Sequence, residues 1–170
     1  PNTSCTLTYR FAPGGIGSFF DDVTLTSDEP AGSQLLSMQG NGAVPQLSLS
    51  PALLNVGTAV LGDTTSPVPV TVGNPGAVPV TITSIPLPSP PFSLFSSTCP
   101  ATPFDLGFQQ SCTLNYEFTA STAGEVSQPL DITSSSPDSP DQLVLYGYGD
   151  GAGLSASPSE SAHEGFAGSG

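Results

Sequence analysis

The sequence predicts an all-β protein, tandem β-sandwich repeats of about 107 residues per unit with no significant helix. Two observations carry this. Ser111–Phe118 alternates strictly: Cys112, Leu114, Tyr116 and Phe118 fall on one face, Thr113, Asn115 and Glu117 on the other. Period two with one apolar face marks a strand lying on a core. The pattern also occurs earlier, with Cys5, Leu7, Tyr9 and Phe11 inward and Thr6, Thr8 and Arg10 outward. An offset of 107 residues carries Cys5 onto Cys112.

The offset holds without a gap through 1–42, where 13 of 42 aligned positions are identical. Val23 maps to Leu130, Leu25 to Ile132, Pro30 to Pro137, Leu36 to Leu143, Gly40 to Gly147 and Gly42 to Gly149. Residues 1–42 are therefore expected to be the C-terminal half of a repeat, and 43–149 a complete unit. A unit of this length suits a sandwich of ~100 residues. Leu154-Ser155-Ala156-Ser157-Pro158 matches Leu47–Pro51 at four of five positions and the same offset. Residues 150–170 thus read as a linker and the N-terminal stub of a following unit.

In order, the first strand of the half unit is expected over Cys5–Phe11. Ala12–Gly17 is a loop by its Gly and Pro content. Strands follow at 23–27 and 35–40, with a turn at 28–32. In the complete unit, strands are expected at 46–50 and at 52–56, closing at Gly57. Val68, Val70 and Val72 alternate around Pro69, which cannot donate to a ladder, so an edge or a bulge is expected there. Asn74-Pro75-Gly76 is a turn. Val78–Ile82 is a strand, Pro86–Pro91 a rigid connector and Phe92–Phe95 a short strand. The Cys112 strand, Pro129–Thr133 and Gln142–Tyr146 complete the unit.

Composition narrows the function classes. The chain has 170 residues, 19 Pro, 19 Gly, no Trp, one basic side chain (Arg10) and a net charge of −13. Nucleic acid and anionic membrane surfaces need clustered Lys and Arg, so neither is an expected partner. No apolar run approaches the ~20 residues of a helical membrane span, so no membrane insertion is expected in this segment. A β-rich, Lys-free chain with three Cys favours an oxidising compartment. The chain begins at Pro1 without a signal peptide, which predicts that the natural product is processed or longer.

The ordered set Leu47-Ser48-Leu49-Ser50-Pro51, Leu54-Asn55-Val56-Gly57, Val70-Thr71-Val72-Gly73-Asn74-Pro75-Gly76 and Val80-Thr81-Ile82-Thr83-Ser84-Ile85 adds a further clue. It continues through Cys99, Ser111-Cys112-Thr113-Leu114, Tyr116-Glu117-Phe118 and Ile132-Thr133-Ser134-Ser135. This resembles the immunoglobulin-like repeats of bacterial choice-of-anchor D proteins and the related hydin-type (ASH) group. It departs from their pattern at Val56 and in the Pro-rich stretch 86–91. The resemblance implies tandem seven-stranded immunoglobulin-like sandwiches on secreted or cell-surface proteins, with no known catalytic role.

Candidate sites are few. Twelve residues separate Cys99 from Cys112. A disulfide would pin the loop ahead of the Cys112 strand and contribute about 3 kcal/mol; the plainer alternative is two buried thiols. By the offset, the partner of Cys5 lies upstream of Pro1, and the alternative is a bond to another chain. His163 is the only His, too little for a zinc site or a Ser-His-Asp triad. Asp21, Asp22, Asp28, Glu29, Asp138 and Asp141 are candidates for Ca²⁺ at a domain junction. Hard cations want several oxygens together, yet no Asp-x-Asp-x-Asp-Gly spacing occurs, and solvated turn acids are the simpler reading. Asn2-Thr3-Ser4 fits a glycosylation sequon. Gly147, Gly149 and Gly151 read as inter-unit hinges. No cofactor, metal or catalytic residue is expected.

The expectation is a non-enzymatic structural repeat of an extracellular or cell-surface protein, a fibre, filament or stalk element. Its partners would be neighbouring repeats or copies of itself, joined head-to-tail by strand complementation. The alternative is an adhesin-type module that recognises glycan or protein through sandwich-end loops. An exposed aromatic cluster near Phe19, Phe20, Phe104 and Phe108 would favour it.

Overall fold

The computed structural model describes residues 3–28, 30 and 32–151. Eleven strands occur among them: β1 (Gly17–Leu25), β2 (Gln34–Gly42), β3 (Ser48–Ser50), β4 (Leu53–Val60), β5 (Val68–Gly73), β6 (Val80–Ser84), β7 (Phe92–Ser97), β8 (Phe104–Leu106), β9 (Ser111–Phe118), β10 (Gly124–Ser134) and β11 (Asp141–Asp150). None of the described residues is helical.

Strands β3–β11 form a sandwich. One sheet runs β4-β11-β10-β6-β8 and the other β3-β5-β9-β7. The second sheet follows the A-B-E-D order of an immunoglobulin-like fold, and β11-β10-β6 supplies its G-F-C sheet. The first strand is split: β3 pairs antiparallel with β5, then β4 crosses over to pair parallel with β11. Alternation decides what lies between the sheets. Leu54 and Val56 of β4, Val70 and Val72 of β5, Val80 and Ile82 of β6 are buried. So are Leu114, Tyr116 and Phe118 of β9, Leu130 and Ile132 of β10, and Leu143 and Leu145 of β11. The fold class is thus an all-β, immunoglobulin-like sandwich, with β9 as its central apolar strand.

Several expected boundaries shift. The strand expected to close at Gly57 continues to Val60, because Gly57 takes φ +111° and carries the chain through a bulge against β11. The strand expected from Val78 begins at Val80, after Pro79. Strand β5 is interior to its sheet rather than an edge. However, β3 reaches only Thr71–Gly73, so the backbone around Pro69 pairs with β9 alone. Pro129 is placed alike, since β6 reaches β10 only at Thr133 and Ser134. In both places the missing N–H costs no ladder bond on the unpaired side. Strand β8 went unforeseen.

The Asn74-Pro75-Gly76 turn does more than reverse the chain. Asn74 is buried; its Nδ2 donates to the carbonyls of Val78 and Leu106 at 2.8 Å each, and its Oδ1 accepts from Gly76 N at 2.8 Å. Its backbone N–H donates to Gln110 O, and its carbonyl accepts from Gln109 N. One amide thereby ties β5, the approach to β6, the end of β8 and the loop before β9. Asn74→Ala leaves a buried carbonyl (Leu106) and a part-buried one (Val78) without their donor, and is expected to destabilise the sandwich by about 2–3 kcal/mol. Urea unfolding checks this; a loss under about 0.5 kcal/mol would show that the node is dispensable.

Candidate functional site

The β1–β2 hairpin forms a sheet of its own, antiparallel from Gly17↔Gly42 to Leu25↔Gln34. The β10–β11 hairpin runs from Gly124↔Gly149 to Ile132↔Asp141, the same register displaced by 107 residues. Side-chain detail repeats too. Gly17 and Gly124 both open their strands at positive φ, +117° and +104°. A Cβ on Gly40 would meet the Phe11 ring at 2.8 Å, and one on Gly147 the Phe118 ring at 2.7 Å. A Cβ on Gly42 would strike the Gly15 carbonyl, and one on Gly149 the Thr122 carbonyl. These glycines are close-approach positions inside strands. This corrects the reading of Gly147 and Gly149 as hinges, because a backbone pressed against a ring and a carbonyl cannot serve as a swivel.

A larger correction concerns Cys5–Phe11. It has the alternation of β9, yet residues 3–16 contain no strand. The reason is pairing. Strand β9 is held between β5 and β7. At the 107-residue offset the counterparts of β5 and β7 fall outside residues 1–170, and no described strand exchanges backbone hydrogen bonds with this segment.

The missing neighbours leave an apolar face open. Leu7 is 55% exposed against 1% for Leu114, Tyr9 45% against 0% for Tyr116, and Phe11 50% against 0% for Phe118. Leu25 and Leu36 are exposed as well, where Ile132 and Leu143 are fully buried. Tyr9, Phe11, Phe19, Val23 and Met38 line a cleft of about 790 Å³, with Arg10 beside them. Phe19 packs on Phe11 with ring centroids 6.0 Å apart. Phe19, Val23 and Met38 stand where Val126, Leu130 and Leu145 stand in the sandwich; the offset placed Val23 and is the signal that could have placed the other two. Covering a contiguous apolar face of this kind releases water at a gain in free energy.

Other expected sites resolve individually. Cys99 and Cys112 form a disulfide with Cα atoms 4.9 Å apart, joining the loop after β7 to the start of β9. Cys5 is a free, exposed thiol at the position equivalent to Cys112. Of the four aromatics whose exposed cluster would favour the adhesin alternative, Phe104 lies in β8 and packs against the core, while Phe19, Phe20 and Phe108 are exposed, Phe19 beside Phe11. Among the described residues, no three His, Cys, Asp or Glu side chains are grouped to hold a metal, and no helix is long and apolar enough to cross a membrane. His163, the 154–158 motif and Asn2 of the sequon lie outside the described residues.

Asp141, at the start of β11, keeps Oδ2 buried with no hydrogen-bond partner. Burial first, and the Asp138 charge second, raise its carboxyl above the ordinary carboxylate value. A raised folded-state value means that the folded form holds the proton more tightly than the unfolded chain. Stability therefore falls as pH rises from the ordinary value through the raised one, and stays lower above it. Asp141→Asn is expected to raise the melting temperature at neutral pH and to have little effect near pH ~3. Melting curves across that range check it; an equal shift at both ends would refute the titration.

No family model matches the chain, and no curated protein does. Solved structures with similar backbones include the Vibrio cholerae VesB protease, at 20% identity and TM-score 0.48. That match covers 62% of this chain, which spans only 32% of the protease. A Porphyromonas gingivalis W83 protein of unknown function matches at 15% identity and TM-score 0.48, covering 81% of this chain and 68% of that one. The ASH/PapD-like domain 7 of human CEP192 matches at 14% identity and TM-score 0.47, covering 64% and 88%. At these levels the likenesses carry no inference about activity or partners.

Proposed function

We propose that this polypeptide is a non-enzymatic structural repeat of an extracellular or cell-surface protein, part of a stalk, fibre or filament, in the manner of choice-of-anchor D arrays. In this reading residues 1–42 are the second half of one unit, 43–149 a whole unit, and 150–170 a linker leading into the next. The observation that carries it is the duplication of the two hairpins, in register and in glycine contacts, at the spacing of the sequence repeat. Repetition of a rigid sandwich sets length, and the Cys99–Cys112 disulfide and the Lys-free acidic surface suit an oxidising exterior. Small-angle scattering of the natural protein tests it. A rod lengthening by roughly 35 Å per unit is expected, the span of a ten-residue strand such as β11. A compact particle would overturn the reading.

A further inference from the structure

We propose that the open face of residues 3–42 is the acceptor for the first half of an immunoglobulin-like unit, strands of the β3–β8 kind, lying ahead of it on the same polypeptide, and that this half brings a cysteine at the place of Cys99 into a disulfide with Cys5. The inference rests on the repeat reading above and names the partner of its half unit.

The sandwich itself displays what covers such a face. Phe118, the counterpart of Phe11, meets the Phe92 ring at 5.3 Å between centroids. Its backbone N–H donates to Thr65 Oγ1 and its carbonyl accepts from Thr65 N. Thr119 N donates to Pro91 O, and Cys112 is bonded to Cys99. Every one of these partners belongs to the first half of the unit. Phe11, Ala12 and Cys5 present the same groups, and among the described residues no counterpart of Phe92, Thr65, Pro91 or Cys99 stands opposite them. Only Pro13, in the place of Ala120, lacks the N–H that Ala120 donates to Asp63 O.

A second copy of the described residues is a poor occupant. Residues 3–151 hold two second halves but a single first half, β3–β8. Lending that half to a neighbour would uncover Tyr116 and Phe118 in the lender, for no net burial. A first half on the same polypeptide has no such defect. In the sandwich only residues 107–110 separate β8 from β9. A tether that short holds the two halves at millimolar effective concentration or above.

The test extends the chain 1–170 at its N-terminus with a copy of its own residues 43–107, joined to Pro1, which stands in register with Phe108. Thiol titration in denaturant without reductant should find one free cysteine in the unextended chain and none in the extended one. Peptide mapping should pair Cys5 with the copy's cysteine. Amide exchange over residues 4–11 should slow by at least about 100-fold on extension. The extended chain carrying Cys5→Ser should keep most of that protection, because the apolar face does the docking. Exchange over 111–118 reports whether the second sandwich is intact in every sample. Two free thiols and unchanged exchange over 4–11, beside an intact second sandwich, would overturn the proposal. So would a stable dimer of the unextended chain in which 4–11 is protected. A rod in scattering with Cys5 unpaired in the natural protein sinks this inference alone; a compact particle sinks the repeat reading.

Discussion

Truncating Phe118 to alanine should lower the unfolding free energy of the 43–151 sandwich by about 3–5 kcal/mol, whereas Phe11→Ala should leave it unchanged. The two residues occupy equivalent positions, each ring lying over a glycine, Gly147 or Gly40. They differ in cover. Phe118 is fully enclosed between β9 and the facing sheet and touches Phe92, so its removal opens a cavity that the packed strands cannot collapse into. Phe11 is half exposed, so its loss gives up part of one contact with Phe19 and some contact over Gly40. Denaturant unfolding followed by Tyr fluorescence or amide exchange measures both. In a chain extended as above, Phe11→Ala should become as costly as Phe118→Ala. Equal costs in the unextended chain would mean that residues 3–42 are already covered, contrary to their exposure.

This pair also marks what alternation can and cannot reveal. The pattern of Cys112, Leu114, Tyr116 and Phe118 was enough to foresee β9 and its inward face, and all four are buried. The identical pattern at Cys5–Phe11 forms no strand, because periodicity encodes which face is apolar and says nothing about whether a neighbour exists to pair with. Strand β8 escaped for another reason. Phe104-Asp105-Leu106 is three residues between Pro103 and Gly107, too short to establish a period, although its two apolar residues do alternate. The glycines of β11 were legible in principle. Leu143, Leu145, Gly147 and Gly149 share one face of the strand, and glycine on an inward face announces something pressed against the backbone. The Asn74 node was visible only as a turn; that its side chain reaches back to Leu106, 32 residues away, is a tertiary fact that no local pattern encodes. The open face was legible only in part. Alternation turned Leu7, Tyr9 and Phe11 inward and the offset set Val23 on Leu130, but Phe19 reads there as a surface aromatic and Met38 has no inward place, although the same offset carries them onto Val126 and Leu145.

Removing the Cys99–Cys112 disulfide should cost the sandwich about 3 kcal/mol, the chain-entropy value for a loop of this length. For a domain of about 100 residues that corresponds to a fall in melting temperature on the order of 10–20 °C. The bond closes a loop of sequence separation 13 that contains Pro100, Pro103 and the short strand β8. Without it, β8 is held by its three-residue pairing with β6, the Thr81–Asp105 side-chain hydrogen bond and the Asn74 bond to the Leu106 carbonyl. Cys112 is buried at the head of β9, so the reduced protein must also accommodate two thiols in space shaped for one bond. The measurement is a melting curve with and without reductant on a Cys5→Ser chain, which excludes exchange with the exposed thiol. Cys99→Ala/Cys112→Ala should reproduce the reduced value, and reductant should then have no further effect. The cost should fall in the 98–112 region first, seen as faster amide exchange at β8 before the β10–β11 hairpin opens. A melting temperature within about 2 °C of the oxidised protein would show that the sandwich stands without the bond, and the proposed oxidising exterior would lose its structural support.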